Sequence, residues 1–170
     1  MAIDPDAAAA LARRHVDEGV PWPDGLDGEA RLALAWALKD LCYASWNSDP
    51  ARAVRAARAL GDLAVADTRP PASAVTEVGA LAEWTAGIAR VVEGDMAAAI
   101  DAFDRAAAAF VAAGRADAAA QTQVPRIMAL SMLGRHDEAA QCAEAAQRAF
   151  VALGDRRAAG RVSLNLGTLH

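Results

Sequence analysis

Residues 110–114 read FVAAG and residues 150–154 read FVALG, and after three further residues each segment is followed by a pair of alanines. The offset of forty residues also holds outside these segments. It relates the following pairs: Gly94 and Gly134, Ala99 and Ala139, Ala106 and Ala146. A repeat of this period predicts stacked supersecondary units, which usually present a surface to a partner rather than perform chemistry.

The composition predicts one domain that binds neither nucleic acid nor membrane. The chain has 170 residues, of which 55% are hydrophobic, and a formal net charge of -5. Nucleic-acid binding would favour a basic surface, and no apolar run approaches the roughly 18 residues that span a bilayer. The N-terminal residues lack a secretory signal pattern, so the expected location is cytoplasmic. Much of the apolar fraction is alanine, which favours closely packed helices.

The cysteines and histidines predict no metal site, cofactor or catalytic centre. Cys42 and Cys142 are a hundred residues apart without CxxC spacing, which argues against a disulfide framework and a zinc site. His136 is six residues from Cys142 on one predicted helix, so their side chains lie nearly two turns apart. We therefore expect no enzyme activity, a packed Cys142, and His136 in the first residues of its helix.

Apolar periodicity, caps and helix breakers predict an all-α fold of about eight helices. The loop at residues 20–25 contains two prolines and a glycine, and its Trp22 is expected to fold back onto the first helices. A second break falls at residues 67–71. The predicted helices span residues 5–18, 29–46, 51–66, 73–93, 96–113, 117–133 and 136–153, and an eighth begins at residue 156.

The predicted organisation is one continuous α-solenoid of antiparallel helix hairpins. Residues 1–72 would form N-terminal helices with a degenerate repeat, and residues 73–170 two complete repeats and the start of a third. The last helix distributes Leu164, Leu166 and Leu169 around its circumference, so some apolar surface must stay open. We therefore expect either self-association through this half-repeat or a gain in stability when the next helix is restored.

The pair of helices at residues 80–113 resembles the 34-residue tetratricopeptide motif. Gly87 stands at the small eighth position, Ala99 at the twentieth, Phe103 at the twenty-fourth and Ala106 at the twenty-seventh. The following pair matches with Ala139, Ala143 and Ala146, but Ile127 replaces the glycine, and Glu83 occupies the usually bulky fourth position. A forty-residue period also fits HEAT or armadillo repeats, so the resemblance depends on the glycine and alanine positions.

Residues 117–139 resemble, more narrowly, the long-period repeats that precede the CHAT domain of bacterial caspase-like proteins. This resemblance implies a regulatory or sensing arm that binds a protein or peptide, with the catalytic domain elsewhere in a longer chain. Similar sequence occurs in bacterial signalling ATPases and transcriptional regulators with tetratricopeptide arrays. A structural oligomerisation module is the other alternative. Because the chain stops inside a repeat, we expect it to be an N-terminal piece of a longer protein.

The tetratricopeptide resemblance implies that the first helix of each pair lines an inner, concave wall. The residues expected to contact a partner there are Trp84, Ile88, Gln121, Val124, Met128, Ser131, Arg161, Leu164 and Thr168. Trp84 and Met128 should then be partly exposed on the same side. Such a mostly apolar wall suits a helix or another array. The helical position of Trp84, like those of Trp36 and Trp46, also fits a place in the core.

Two further features have open interpretations. Arg52, Arg55 and Arg58 recur every third residue, which fits either a site for an acidic partner or a solvated face beside Asp49 and Asp62. Pro125 falls inside the predicted helix at residues 117–133, where it would bend or split the helix. Alternatively, the helix begins later and Pro125 lies in its first turn.

Overall fold

The structure is a computed structural model that describes residues 3–65 and 72–167, with side chains omitted for residues 72–76, 161 and 163–167. This part of the chain contains eight helices and no strand, which confirms the all-α prediction. Each predicted helix bound that falls on a described residue lies within one residue of the observed one. The helices are α1 Pro5–Glu18, α2 Gly28–Ser45, α3 Pro50–Val65, α4 Ala72–Glu93, α5 Met96–Ala112, α6 Ala116–Met132, α7 His136–Ala152 and α8 Arg156–Gly167. The predicted break at residues 67–71 lies outside the described residues.

The helices pack in two rows, and consecutive helices of the chain belong to different rows. Each helix contacts the next one in the chain, α2 lies along α4, and α1 contacts α3. In contrast, α4 and α6 touch only over a short stretch. We call α2, α4, α6 and α8 the even row and α1, α3, α5 and α7 the odd row. The even row is therefore tightly closed between α2 and α4 but more open between α4 and α6.

Four glycines spaced twenty residues apart end α4, α5, α6 and α7. Gly94, Gly114, Gly134 and Gly154 have φ angles of 84°, 73°, 73° and 76°, a left-handed conformation that other residues adopt at a cost. After each glycine, the next amide donates to a carbonyl five residues back, as from Arg115 to Phe110 at 2.8 Å. The structural unit is thus one helix with its turn, twenty residues long, and the forty-residue sequence repeat contains one helix from each row.

Close contact between α4 and α5 requires glycine at position 87. A Cβ atom added to Gly87 would lie 2.4 Å from Cε1 of the Phe103 ring, well inside van der Waals contact. Forty residues later the corresponding positions hold Ile127 and Ala143, both buried. In α4 and α5 the small residue is on the first helix and the large one on the second, and in α6 and α7 this order is reversed. The reversal explains how α6 and α7 tolerate isoleucine in place of the glycine.

Helix α6 runs through Pro125 without interruption. Pro125 is buried and lies inside the helix that extends from Ala116 to Met132. The interpretations in which the helix splits at Pro125, or begins there, are therefore wrong. Because proline has no amide hydrogen, the carbonyl of Gln121 receives no bond from this position. A bend of the helix axis at this point stays a prediction.

Side-chain contacts hold both the N-terminal loop and α3 against α1. Trp22 stacks on His15 with ring centroids 3.8 Å apart, which confirms that the tryptophan folds back. Arg52 binds the Asp17 carboxylate through two hydrogen bonds of 2.8 and 2.5 Å, and Arg55 donates to the Val16 carbonyl. Two of the three regularly spaced arginines therefore join α3 to α1, which neither of the two sequence interpretations anticipated.

Candidate partner-binding surface

The residues predicted to line the wall on α4 are buried. Trp84 is 1% exposed and Ile88 is fully buried, so the expectation that Trp84 would be partly exposed is wrong. The cause is the close packing of α2 along α4. The Tyr43 ring of α2 and the Phe110 ring of α5 approach Trp84 edge-on, with centroids 5.8 and 6.0 Å away. Trp84 and Ile88 therefore belong to the core and cannot contact a partner unless α2 moves.

Lys39 occupies an aromatic cage between α2 and α4. Its ammonium lies 4.8 Å from the Trp84 ring, 5.1 Å from the Trp36 ring and 5.8 Å from the Tyr43 ring. It pairs with Asp40 at 2.7 Å, and the whole residue is buried. The buried indole nitrogen of Trp84 donates to no acceptor. Such cation–π contacts stabilise a buried charge, so the cage fixes α2 against α4.

A second cluster joins α2, α4 and the start of α6. Trp36 donates its indole N–H to Glu77 at 2.9 Å. Arg115 also binds Glu77, forms two bonds of 3.1 Å with Asp117, and stacks 5.1 Å from the Trp36 ring. Arg115 thereby holds the pKa of Asp117 below its usual value.

Sequence reasoning missed both clusters because Trp84, Glu77 and Arg115 are about forty residues or more from their partners on α2. Two local signals were available. Lys39 is the only lysine, and its spacing of three and four residues from Trp36 and Tyr43 places these side chains on one side of α2.

The residues predicted on α6 lie together and are accessible. Gln121, Val124, Met128 and Ser131 are all half-buried, and their spacing of three and four residues places them on one side of the helix. Met132, four residues after Met128, is 61% exposed. We call Gln121, Val124, Met128, Ser131 and Met132 the α6 face. It stays accessible because α4 and α6 touch only briefly, whereas α2 covers the corresponding side of α4.

The remaining predicted contact residues cannot be placed. Arg161 and Leu164 fall within α8, but the structure describes only their backbone, and Thr168 lies outside the described residues. Of the nine predicted residues, the structure thus brings four together on α6 and buries two in α4.

Cys142 is packed between α6 and α7, and His136 is the exposed first residue of α7, both as the sequence predicted. The Cys142 thiol lies 3.3 Å from the side-chain oxygen of Gln123, and burial raises its pKa. Burial also raises the pKa of Cys42 to about 12. Among the described residues, no cluster of His, Cys, Asp and Glu could hold a metal ion, and no helix is long and apolar enough to cross a membrane.

Comparison with known proteins assigns no family to this arrangement. No family model matches the chain, and neither a curated protein nor a solved structure is significantly similar to it. The helical array and the α6 face are therefore the features from which a function can be inferred.

Proposed function

We propose that this chain is a non-enzymatic module that binds a protein or peptide through the α6 face. The observation that carries the proposal is a contrast within the even row. Gln121, Val124 and Met128 are half-buried on one side of α6, whereas the three α4 residues forty positions earlier are buried. Repeated helical units commonly act by presenting such a surface.

The chemistry of the α6 face favours a helical partner with an apolar stripe. None of its five side chains is charged, so it offers no ion pair to an acidic or basic tail. Val124, Met128 and Met132 supply apolar contact, and methionine side chains adapt to partners of different shape. Gln121 and Ser131 can exchange hydrogen bonds at the edge, although the Ser131 hydroxyl already donates to the Ile127 carbonyl at 2.9 Å.

The resemblance to repeats that precede CHAT domains supports a narrower form of the proposal. In that form, binding at the α6 face regulates an effector attached to the same chain.

The proposal can be tested by selecting, from a displayed library of helical peptides, those that bind the unmodified chain. The selected peptides should bind the surface of the chain where most apolar area can be buried. Val124→Asp and Met128→Asp each place a carboxylate within the α6 face. Val111→Asp is the matched control, since Val111 is 66% exposed on α5 in the odd row. Thermal unfolding of each variant checks that the fold is intact.

We expect the enriched peptides to bind each α6 variant at least about tenfold more weakly, which corresponds to about 1.4 kcal/mol. They should bind the Val111→Asp variant and the unmodified chain equally well. Peptides that bind the folded α6 variants with unchanged affinity would place the site elsewhere and refute the proposal.

A further inference from the structure

Pro125 leaves one backbone acceptor of α6 without its helical donor. In an α-helix each amide donates to the carbonyl four residues earlier, so the Gln121 carbonyl would receive its bond from residue 125. Proline has no amide hydrogen, and Pro125 lies well inside the helix, which runs from Ala116 to Met132. Backbone carbonyls inside a folded protein are normally paired. The Gln121 carbonyl can therefore accept a hydrogen bond from outside α6.

Neighbouring side chains do not replace the missing donor within the described part of the chain. The hydroxyl of the adjacent Thr122 donates to the Ala119 carbonyl at 2.7 Å, and the Gln123 amide donates to the Thr122 hydroxyl at 3.2 Å. The side-chain amide of Gln121 forms no hydrogen bond with another described residue. Both the backbone carbonyl and the side chain of Gln121 are thus available to a partner.

This carbonyl belongs to the α6 face. A helical carbonyl points along the axis toward the residue four positions later, so the oxygen lies between Gln121 and Pro125 on the helix surface. The Pro125 ring is buried and crowds this oxygen, which displaces it away from the buried side. Gln121, Val124 and Met128 are half-buried around it. A partner helix that covers the α6 face therefore also covers this carbonyl and removes it from water.

A covered acceptor favours a partner that supplies an uncharged donor. An acceptor that loses water without gaining a hydrogen bond costs free energy, so an entirely apolar stripe binds less well there. A cation would find no free counter-ion: the five side chains of the α6 face are uncharged, and Arg115 already binds the nearby Asp117 and Glu77. A carboxamide is uncharged, donates to the carbonyl and can also accept from the Gln121 side chain.

We propose that the helical partner of the α6 face carries an asparagine or glutamine within its apolar stripe, and that this side chain donates a hydrogen bond to the Gln121 carbonyl. This role of the carbonyl rests on the proposed function, because the partner must bind the α6 face. Val124, Met128 and Met132 then supply the contact area, whereas the carbonyl decides which apolar stripes are accepted. Pro125 creates this specificity although its own ring is buried.

The test selects peptides from one helical library on several forms of the chain. Each position of the peptides' apolar stripe varies in turn among apolar residues, Asn, Gln, Ser and Lys. Pro125→Val restores an amide to the Gln121 carbonyl with an apolar side chain of similar size, and Pro125→Ala is a second variant in case valine disturbs the packing. Pro50→Val is the matched control, because Pro50 is the first residue of α3, where its missing amide has no helical acceptor.

Peptides that bind the α6 face are recognised by their loss of binding to the Val124→Asp variant. On the unmodified chain and on Pro50→Val, these peptides should be enriched in Asn or Gln at one stripe position. Replacing that residue with leucine should weaken binding about tenfold. On Pro125→Val the same replacement should change affinity less than about twofold, because the carbonyl is bonded within α6. Thermal unfolding should show Pro125→Val at least as stable as the unmodified chain.

Two results would overturn the role of the carbonyl and leave the proposed function intact. Peptides bound at the α6 face of the unmodified chain could show no preference for Asn or Gln, or a preference for lysine instead. The preference could also persist unchanged on the folded Pro125→Val and Pro125→Ala variants, which would assign it to a different acceptor. If the selected peptides bind outside the α6 face, the proposed function fails and the role of the carbonyl fails with it.

Discussion

Trp84 packs against rings from both rows, and its burial gives it a structural role. Replacing it with alanine would remove the ring that contacts Tyr43, Phe110 and the Lys39 ammonium. We expect Trp84→Ala to lower the free energy of unfolding by about 3–5 kcal/mol. Trp84→Phe should lower it by less, because phenylalanine keeps an aromatic ring there and removes the indole N–H that has no acceptor.

Urea denaturation of the two variants measures these differences, with Met132→Ala as the control. Met132 is 61% exposed, so its truncation should change the free energy of unfolding by less than about 0.5 kcal/mol. A Trp84→Ala variant as stable as the control would contradict burial of the ring in solution.

Trp84 and Met128 show how far the exposure of a single side chain could be predicted from the sequence. Because equivalent positions align in repeats, the sequence predicts both residues on a common wall, and Met128 is half-buried as that requires. Trp84 differs because a helix from outside the well-matched repeats covers it. The degenerate repeat within residues 1–72 gave no signal that α2 packs along α4, since Lys39, Glu77 and Arg115 have no local spacing in common.

At the scale of helices, the exchange of side-chain size between two helix pairs can be tested directly. Gly87→Ile should destabilise the protein strongly, because even a Cβ atom would lie 2.4 Å from the Phe103 ring. Phe103→Ala should lower the free energy of unfolding by about 3–5 kcal/mol by leaving a cavity. The double variant reproduces the Ile127 and Ala143 combination, so it should be more stable than the sum of the single effects predicts.

A double-mutant cycle in urea measures this coupling, for which we expect about 1–3 kcal/mol in favour of the double variant. Additive effects of the two substitutions would show that the α4 and α5 contact differs from that of α6 and α7. Gly87→Ala is a smaller substitution than Gly87→Ile at the same position. The helix propensity that alanine adds should be outweighed by the steric conflict with the ring.

The bounds of the helices could be predicted because their signals are local. Asp4, Asp27 and Asp95 each accept a hydrogen bond from an amide three residues later, and the glycines after α4 to α7 adopt left-handed conformations. These residues act within one turn of the chain. The relative position of α2 and α4 depends on contacts between residues about forty apart, such as Trp36 and Glu77. No local pattern encodes such contacts.

At the scale of the whole molecule, the packing order of the helices decides which surfaces stay accessible. The α6 face is accessible because α4 and α6 touch only briefly, whereas α2 packs along α4, where Trp84 and Ile88 are buried. A partner that binds the α6 face therefore need not displace a described helix.

The twenty-residue unit also restricts how this array can change in length. Duplicating residues 115–154 adds one helix to each row and keeps α8 in the even row. Duplicating residues 135–154 adds a single helix and transfers α8 to the odd row. The second copy of α7 would then have to pack on the first copy with the face that otherwise packs on α6. We expect the longer duplication to unfold in one cooperative transition and the shorter one to lose protection of α8 in hydrogen exchange. Equal protection of α8 in both would contradict this. We therefore expect the array to gain helices without loss of packing only in steps of two.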